Sequence, residues 1–395
     1  MGRIGRAKRL AVLGSTGSIG RNVLEIARRF PDRFEIAAVA AGKNIGLLER
    51  QIEEFRPLIA AVQTEDLADE LRERMPGKNS PEIVSGPEGY IRAATAPSAD
   101  MTVSAMVGAA GLIPTYQAIL AGKSIALANK EVLVMAGEII MKTASEKGVS
   151  VIPIDSEHSA VFQSLAGHRK EDLKRVILTA SGGPFLNLDR DALAAVTPAQ
   201  ALKHPNWQMG KKVTIDSASL MNKGLEMIEA KWLFDLSMDQ IAVLIHPQSI
   251  IHSMVEYIDG SVIAQLGIPD MRTPIAYALS FPERIDLQLP GLDLSEIGSL
   301  TFKEPDLDSF PCLRLAYVAC EKGGLSPAAL NAANEIAVAA FLEGRLGFTE
   351  IPRIIDNVIC GLVSAGPASI EDILETDRLA RIKAEEMIGR NNLAL

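Results

Sequence analysis

Residues 14–20 read Gly-Ser-Thr-Gly-Ser-Ile-Gly, between an apolar run at 9–13 and a run of helical period at 18–29. A glycine-punctuated turn from strand into helix constrains a chain strongly. It presupposes a strand in a parallel sheet with its helix folded back on one face. The pattern then repeats, with strands at 34–40 and 58–62 around a helix at 45–56. Short strands follow at 101–103 and 124–128, then a long helix at 131–147 and a last strand near 151–154. Alternation at this rhythm predicts an α/β chain whose residues 1–150 form a Rossmann-like parallel-sheet domain.

The rhythm changes after about Asp155. Strand patterns at 175–179, 241–246, 251–257 and 261–266 are spaced by longer connections, and Asp259-Gly260 joins the last two as a hairpin turn. These predict an α+β catalytic domain over 151–285 with an antiparallel sheet and a helix at 271–280. Prolines and leucines dot 282–311 without a period, so 286–311 reads as a linker. Residues 312–395 read as a C-terminal helical bundle, with Ser326 as N-cap and Pro327 as first helical residue of a helix reaching Gly344. Helical patterns at 348–364 and 369–388 follow. A chain of 395 residues exceeds what one core serves, which agrees with several domains.

Composition removes several function classes. A net charge of -9 argues against a nucleic-acid binder. The longest apolar runs, such as 241–245, fall far short of the roughly 20 residues that span a bilayer. The basic arm Arg3, Arg6, Lys8, Arg9 is not a signal n-region, because the apolar run at 10–13 breaks into Gly14. Cys312, Cys320 and Cys360 show no CxxC spacing, so a reduced, cytoplasmic protein is expected.

Glycines at 14, 17 and 20 permit a pyrophosphate to approach the backbone, and the helix N-terminus supplies N–H donors for the anion. The spacing is GxxGxxG, not the usual GxGxxG. An NAD binder would place an acid at the end of the second strand to hold the ribose 2′-hydroxyl. Here that end reads Ala40-Ala41-Gly42-Lys43-Asn44, with a lysine and an amide in place of a carboxylate. NADPH is favoured over NADH.

Asp155 and Glu157 follow a strand; in extended chain their side chains point to one side, where they repel unless a cation intervenes. Glu226 is a third carboxylate, in the polar run 204–226. Hard oxygen donors without cysteine suit Mg²⁺ or Mn²⁺, with Co²⁺ a further candidate. His158 is not counted as a ligand. Gly182-Gly183 lets backbone and the Ser181 hydroxyl approach an anion, while Ser217, Asn222 and Lys223 add donors. Together they suit a phosphorylated polyol. Trp207 and Met209, between Pro205 and Gly210, suit a lid that excludes water. Asn129, Lys130 and Glu131 end another parallel strand, where they either meet ligand or begin a helix with exposed charge. Asp216 has no role beyond a structural one.

The motifs GSTGSIG, AGKN, ANKE, DSEHSA, SGGPF, HPNW-x-MG, DSAS-x-MNKGLE and PDMRTPIAYALSFPER occur in this order. In that order they resemble the 1-deoxy-D-xylulose 5-phosphate reductoisomerase family of the non-mevalonate isoprenoid pathway, nearly from end to end. The resemblance implies NADPH contacts at Thr16, Gly17, Ser18, Ile19, Gly42, Lys43, Asn44, Asn129, Glu131 and Gly210. It implies a divalent metal on Asp155, Glu157 and Glu226. Substrate contacts are implied at Lys130, Ser156, Glu157, Ser181, His204, Trp207, Ser217, Asn222, Lys223 and Glu226, with Lys130 and His204 joining the metal ligands as catalytic groups. The 204–210 loop matches the family's flap. A homodimer through the catalytic-domain sheet is implied, with C-terminal helices supporting the site. The expected chemistry is skeletal rearrangement by retro-aldol and aldol steps, then hydride delivery to the aldehyde. Val132 departs from the serine expected after ANKE. The rival readings are a homoserine or semialdehyde dehydrogenase, which would not need the three carboxylates, and a catalytically silent NADPH-binding protein.

Overall fold

The computed structural model describes residues 6–77, 80–207, 209–362 and 369–392. Arg3, Gln208 and the end of the 348–364 pattern lie outside the described residues. Along the chain run β1 (Lys8–Leu13), α1 (Ser18–Arg29), β2 (Phe34–Ala40), α2 (Ile45–Phe55), β3 (Ile59–Val62), α3 (Glu65–Arg74) and β4 (Glu82–Ser85). Then come α4 (Gly86–Ala94), β5 (Met101–Ser104), α5 (Leu112–Leu120), β6 (Ser124–Leu127), α6 (Glu131–Lys147), β7 (Val151–Pro153) and α7 (Ser156–Leu165). The chain continues with β8 (Leu173–Ala180), α8 (Arg190–Ala194), α9 (Pro198–Ala201), α10 (Lys211–Ala218), α11 (Met221–Phe234), β9 (Ile241–Ile245), β10 (Ile251–Tyr257) and β11 (Val262–Leu266). It closes with α12 (Arg272–Ser280), α13 (Leu294–Ile297), α14 (Pro311–Lys322), α15 (Ser326–Leu342), α16 (Ile351–Gly361) and α17 (Ile370–Asn392). Two compact units emerge: Met1–Val132 with Ile140–Ser159 and Asp270–Leu289, and Leu133–Ile139 with Ala160–Pro269 and Pro290–Leu395.

The first unit holds a seven-stranded sheet in the order β4-β3-β2-β1-β5-β6-β7, every pair of it parallel. Strands buried on both faces must be apolar throughout, and Leu10 to Leu13 are each 0 % exposed. Pro153, which cannot donate to a ladder, sits in the edge strand β7. From β1 the chain winds outward to β4, then returns to β5 on the other side. That reversal opens a crevice at the carboxyl ends of β1 and β5, where sheets of this kind bind ligands. The sequence pattern missed α3, β4, α4 and α5; in α3 only Ala68 and Leu71 are buried, too few to print a period. In the same unit α12 is tied to α1, with Arg272 3.4 Å from Glu25.

The second unit is built on a four-stranded sheet, β11-β10-β8-β9. The sequence reading made it antiparallel, and the structure corrects this. β10 runs antiparallel to both β8 and β11, but β8 and β9 are parallel. The α8–α11 segment between β8 and β9 is the crossover that a parallel pair requires. Lys303, in the stretch read as unstructured linker, pairs with Ile245 through two backbone bonds of 2.8 and 2.9 Å and covers the β9 edge. Helices α11 and α14 meet at Gly224, where an added Cβ would lie 2.5 Å from the Ala316 methyl. α15 is alanine-rich and buried nearly all round, as a central helix must be. It begins at Ser326 with Leu325 as cap, one residue earlier than expected. Within α6, Ala136 leaves helical geometry (φ -136°, ψ 25°), beside Gly137, where the Trp232 indole leaves no room for a Cβ.

Candidate active site

Gly14 has φ +82°, and a Cβ there would sit 2.4 Å from the Ala105 carbonyl oxygen. At Gly20 a Cβ would fall 2.3 Å from Gly14 O, so only glycine lets α1 pack this closely under the turn. The Ser15 hydroxyl donates to Gln51 Oε1 at 2.8 Å and Gln51 Nε2 returns a bond to Ser15 O, pinning the turn to α2. α1 has no side-chain N-cap and no acid in its first turn. The first-turn N–H groups, from Ser18 through Gly20 after Thr16 and Gly17, therefore form an anion cradle with no competing carboxylate. The cradle fits a dinucleotide pyrophosphate. Gly14 N and Ser15 N both bond to Ala40 O at 2.8 and 2.9 Å, which joins the cradle to the end of β2. Gly42, Lys43 and Asn44 are exposed there; Asn44 Oδ1 also caps α2 by accepting from Leu47 N at 3.1 Å.

The carboxyl ends of β6 and β7 carry the next group. Asn129 is buried, and its amide is used within the protein: Nδ2 donates to Gly108 O at 3.0 Å and to Met106 O, and Oδ1 accepts from Val132 N at 3.2 Å. Its effect on the crevice runs through the 106–111 loop that it holds. Glu131 and Val132 are buried at the start of α6, Val132 at 0 % exposure. The exposed-charge reading of this segment fails at Lys130, which is buried with Nζ 2.6 Å from Asp155 Oδ2.

Asp155 and Glu157 do not lie in extended chain, contrary to expectation. Asp155 starts α7: its carbonyl accepts from Ser159 N at 2.8 Å and its Oδ1 accepts from Ser156 N at 3.0 Å. Glu157 is in the first helical turn, where the helix dipole favours negative charge. The Ser156 hydroxyl donates to Glu157 Oε2 at 2.5 Å. A helix start, not a strand face, is what presents these two carboxylates. His158 is 0 % exposed, with Nδ1 4.0 Å from Asp155 Oδ2.

In the second unit Ser181 follows β8, and Gly182 and Gly183 have φ of +82° and +66°. A Cβ on Gly183 would meet Ser217 O and Ala218 Cα at 2.9 Å, so this glycine seats the Ser181 loop on the end of α10, beside Ser217. Leu220, at φ +59°, turns the chain from α10 into α11. One turn on, Asn222 donates to one oxygen of Glu226 and Lys223 to the other. Lys223 is 3 % and Glu226 1 % exposed, so this is a buried charge pair with an extra donor. Carboxylate oxygens such as those of Asp155, Glu157 and Glu226 are the donors that a hard divalent cation takes.

His204 Nε2 lies 3.0 Å from Ser181 Oγ, while its Nδ1 accepts from Asn206 N at 3.2 Å and Trp207 N at 3.0 Å. An Nδ1 that accepts two N–H bonds leaves the ring proton on Nε2, so Nε2–H donates to Ser181. Gly183 N also donates to Ser181 Oγ at 3.1 Å. With both donors on its oxygen, Ser181 keeps its own O–H for an outside acceptor such as a phosphate. Burial lowers the His204 pKa, in keeping with a neutral ring. Trp207 is half-buried and faces His252 with ring centroids 6.1 Å apart. Gly210 begins α10 in open space, accepting from Thr214 N at 3.0 Å. Asp216 is buried, 2.8 Å from Lys212 Nζ, and accepts from Asn334 Nδ2 at 2.9 Å, which ties α10 to α15. His246 and His252 carry no sequence signal, and Asn206 appears only inside HPNW; the Asn206 amide and His246 Nδ1 meet partners 41 and 55 residues away.

The glycine cradle at the start of α1, on a parallel sheet, places the chain among the dinucleotide-binding proteins. Three profiles of one family match the chain: 1-deoxy-D-xylulose 5-phosphate reductoisomerase at 10–137, and the two C-terminal domains of that enzyme at 151–234 and 266–383. Relatives of that name from Geobacter sp. (strain M21) and Chlorobaculum tepidum are 56 % and 55 % identical, each over 97 % of this chain and 99 % and 100 % of their own. The reductoisomerase of Zymomonas mobilis solved with NADPH superimposes at TM-score 0.90 with 41 % identity, covering 97 % of this chain and 99 % of that one. A reductoisomerase solved with NADPH, fosmidomycin and magnesium gives 0.92 and 43 %, covering 97 % and 98 %. The chain belongs to the 1-deoxy-D-xylulose 5-phosphate reductoisomerase family.

Proposed function

We propose that this chain converts 1-deoxy-D-xylulose 5-phosphate to 2-C-methyl-D-erythritol 4-phosphate, consuming NADPH and requiring a divalent metal, in isoprenoid precursor biosynthesis. The observation that carries the reading is the family match over 97 % of the chain. The glycine cradle of α1 and the lysine at the end of β2 support NADPH. Asp155, Glu157 and Glu226 are the proposed metal ligands, for Mg²⁺ or Mn²⁺ and with Co²⁺ as a further candidate. When bound, the ion would polarise the substrate's ketone and hydroxyl oxygens, and the nicotinamide would supply the hydride.

The remaining work falls to the chain's own side chains. Ser181, Ser217, Asn222 and Lys223 grip the phosphate, with the Ser181 O–H turned outward by His204. Lys130 carries its charge at the Asp155 carboxylate, positioned to donate to a substrate hydroxyl, while Ser156 orients Glu157. The 204–210 loop covers the substrate with Trp207 and excludes water. The first unit acts as the NADPH-binding body and also carries Asp155 and Glu157, the second supplies the substrate groups and the dimerising sheet, and 312–395 gives helical support. β11 is an open sheet edge with Val262 51 % exposed, which supports a homodimer through this sheet. No helix among the described residues is long and apolar enough to cross a membrane. A cytoplasmic location is part of the proposal.

The test is loss of NADPH absorbance on adding 1-deoxy-D-xylulose 5-phosphate and Mg²⁺ to the purified chain. Chelation should abolish turnover while leaving NADPH binding intact. No oxidation with metal present would overturn the reading.

A further inference from the structure

Two histidines of the second unit use a ring nitrogen in the same way. His204 Nδ1 accepts from two successive backbone N–H groups at the root of the 204–210 loop. His246 Nε2 accepts from Ile250 N and Ile251 N, both at 3.2 Å, across the turn between β9 and β10. Its Nδ1 stands 3.0 Å from Thr301 O and, since Nε2 accepts, must donate to it. The ring is 0 % exposed and stacks on Phe302 with centroids 4.8 Å apart. Every polar atom of this imidazole is therefore engaged, and only the neutral Nδ1–H tautomer satisfies all three bonds.

The turn that His246 organises is costly to hold otherwise. Ser249 sits at φ +53°, a region a serine rarely adopts. The backbone of the turn is anchored at its start by His246 N to Ala180 O at 2.6 Å, one residue before Ser181. What the turn presents is the landing site of the loop: Asn206 Nδ2 donates to Pro247 O at 2.7 Å and to Ser249 Oγ at 3.0 Å. Thus one imidazole shapes the root of the loop and the other shapes the surface on which it rests.

We propose that His246 is a positioning residue for this reaction, acting through the 246–251 turn and Asn206 on the seat of the 204–210 loop. The proposal rests on the reading of that loop as the substrate's cover. His246 itself touches no reacting group. Its loss should free Ser249 to relax from φ +53° and withdraw both acceptors from Asn206.

The test uses the full chain carrying Trp232→Phe, so that Trp207 is the sole tryptophan. In His246→Leu, Trp207 emission should move to longer wavelength and its anisotropy fall, before any substrate is added. KM for 1-deoxy-D-xylulose 5-phosphate should rise about tenfold, the worth of one or two hydrogen bonds, with NADPH affinity unchanged. His246→Gln, whose Oε1 can take the place of Nε2 as acceptor, should restore much of both. Asn206→Leu should reproduce the effect with His246 intact, and it decides the matter if His246→Leu does not fold. Unchanged Trp207 emission and a KM within twofold in Asn206→Leu, or no rescue by glutamine, would overturn the proposal. An inactive parent protein would count against the proposed function instead, since the Trp207 readout needs no substrate.

Discussion

Asp216 offers the most direct measurement of how the C-terminal helices hold the site. Its carboxylate is 1 % exposed, 2.8 Å from Lys212 Nζ, and accepts from Asn334 Nδ2 at 2.9 Å across 118 residues of sequence. Asp216→Ala strips the acceptor from an amide that is 0 % exposed, at a cost of about 1–3 kcal/mol. It also removes the anion facing Lys212; that side chain keeps 17 % of its surface, so the loss there is discounted to about 1 kcal/mol. The sum is about 2–4 kcal/mol. Asp216→Asn keeps a carbonyl for Asn334 and should lose only about half as much. Both tryptophans, Trp207 and Trp232, lie in the second unit, so intrinsic fluorescence during urea unfolding reads that unit selectively. The ordering should be wild type, then Asp216→Asn, then Asp216→Ala. A cycle with Asn334→Ala should show coupling of about 1 kcal/mol. Because Ser217 is the next residue on α10, KM for the phosphorylated substrate should rise in step. Additive losses, or an Asp216→Ala midpoint equal to wild type, would refute the claim that α15 anchors α10 here.

Gly20→Ala places a Cβ 2.3 Å from Gly14 O and should weaken NADPH binding at least about tenfold by displacing the turn, read by fluorescence titration; an unchanged Kd would remove the turn from the cofactor site. Lys43→Glu should lower the NADPH-to-NADH ratio of kcat/KM by about tenfold or more, since a carboxylate would face the 2′-phosphate; an unaltered ratio would place the phosphate elsewhere. Burial, opposed by a hydrogen bond to the Ile268 backbone, holds the His252 pKa at about 4, against 6.5 when unfolded. A folded pKa below the unfolded one stabilises the neutral form. The contribution is therefore complete above pH 6.5 and lost as pH falls toward 4, and His204 shifts in the same direction. Stability against urea should fall by a few kcal/mol as pH drops across that window, at about 1.4 per pKa unit, and His252→Gln should flatten the slope; an equal slope in the variant would refute the assignment.

Local chemistry was legible from the chain alone. The glycines at 17 and 20, the apolar β1, and the missing acid after β2 each act within a few residues, and so did the Asp259-Gly260 hairpin. Their physics is short-range: backbone sterics, burial on both faces of a parallel strand, and charge at a strand end. The family motifs likewise set out the candidate site residues by type and order. Tertiary structure decided the rest, because the deciding partners are distant in sequence and leave no period. β9 chose β8 in parallel across the α8–α11 crossover. Asp155 and Glu157 took a helix start because α7 begins at Ser156 directly after β7, a boundary that a strand-like motif conceals. Asp216 acquired its role from Asn334, and Lys130 its burial from Asp155. The proton on His204 is placed by two backbone N–H groups that exist only once the loop has folded, and so is the direction of the Ser181 hydroxyl.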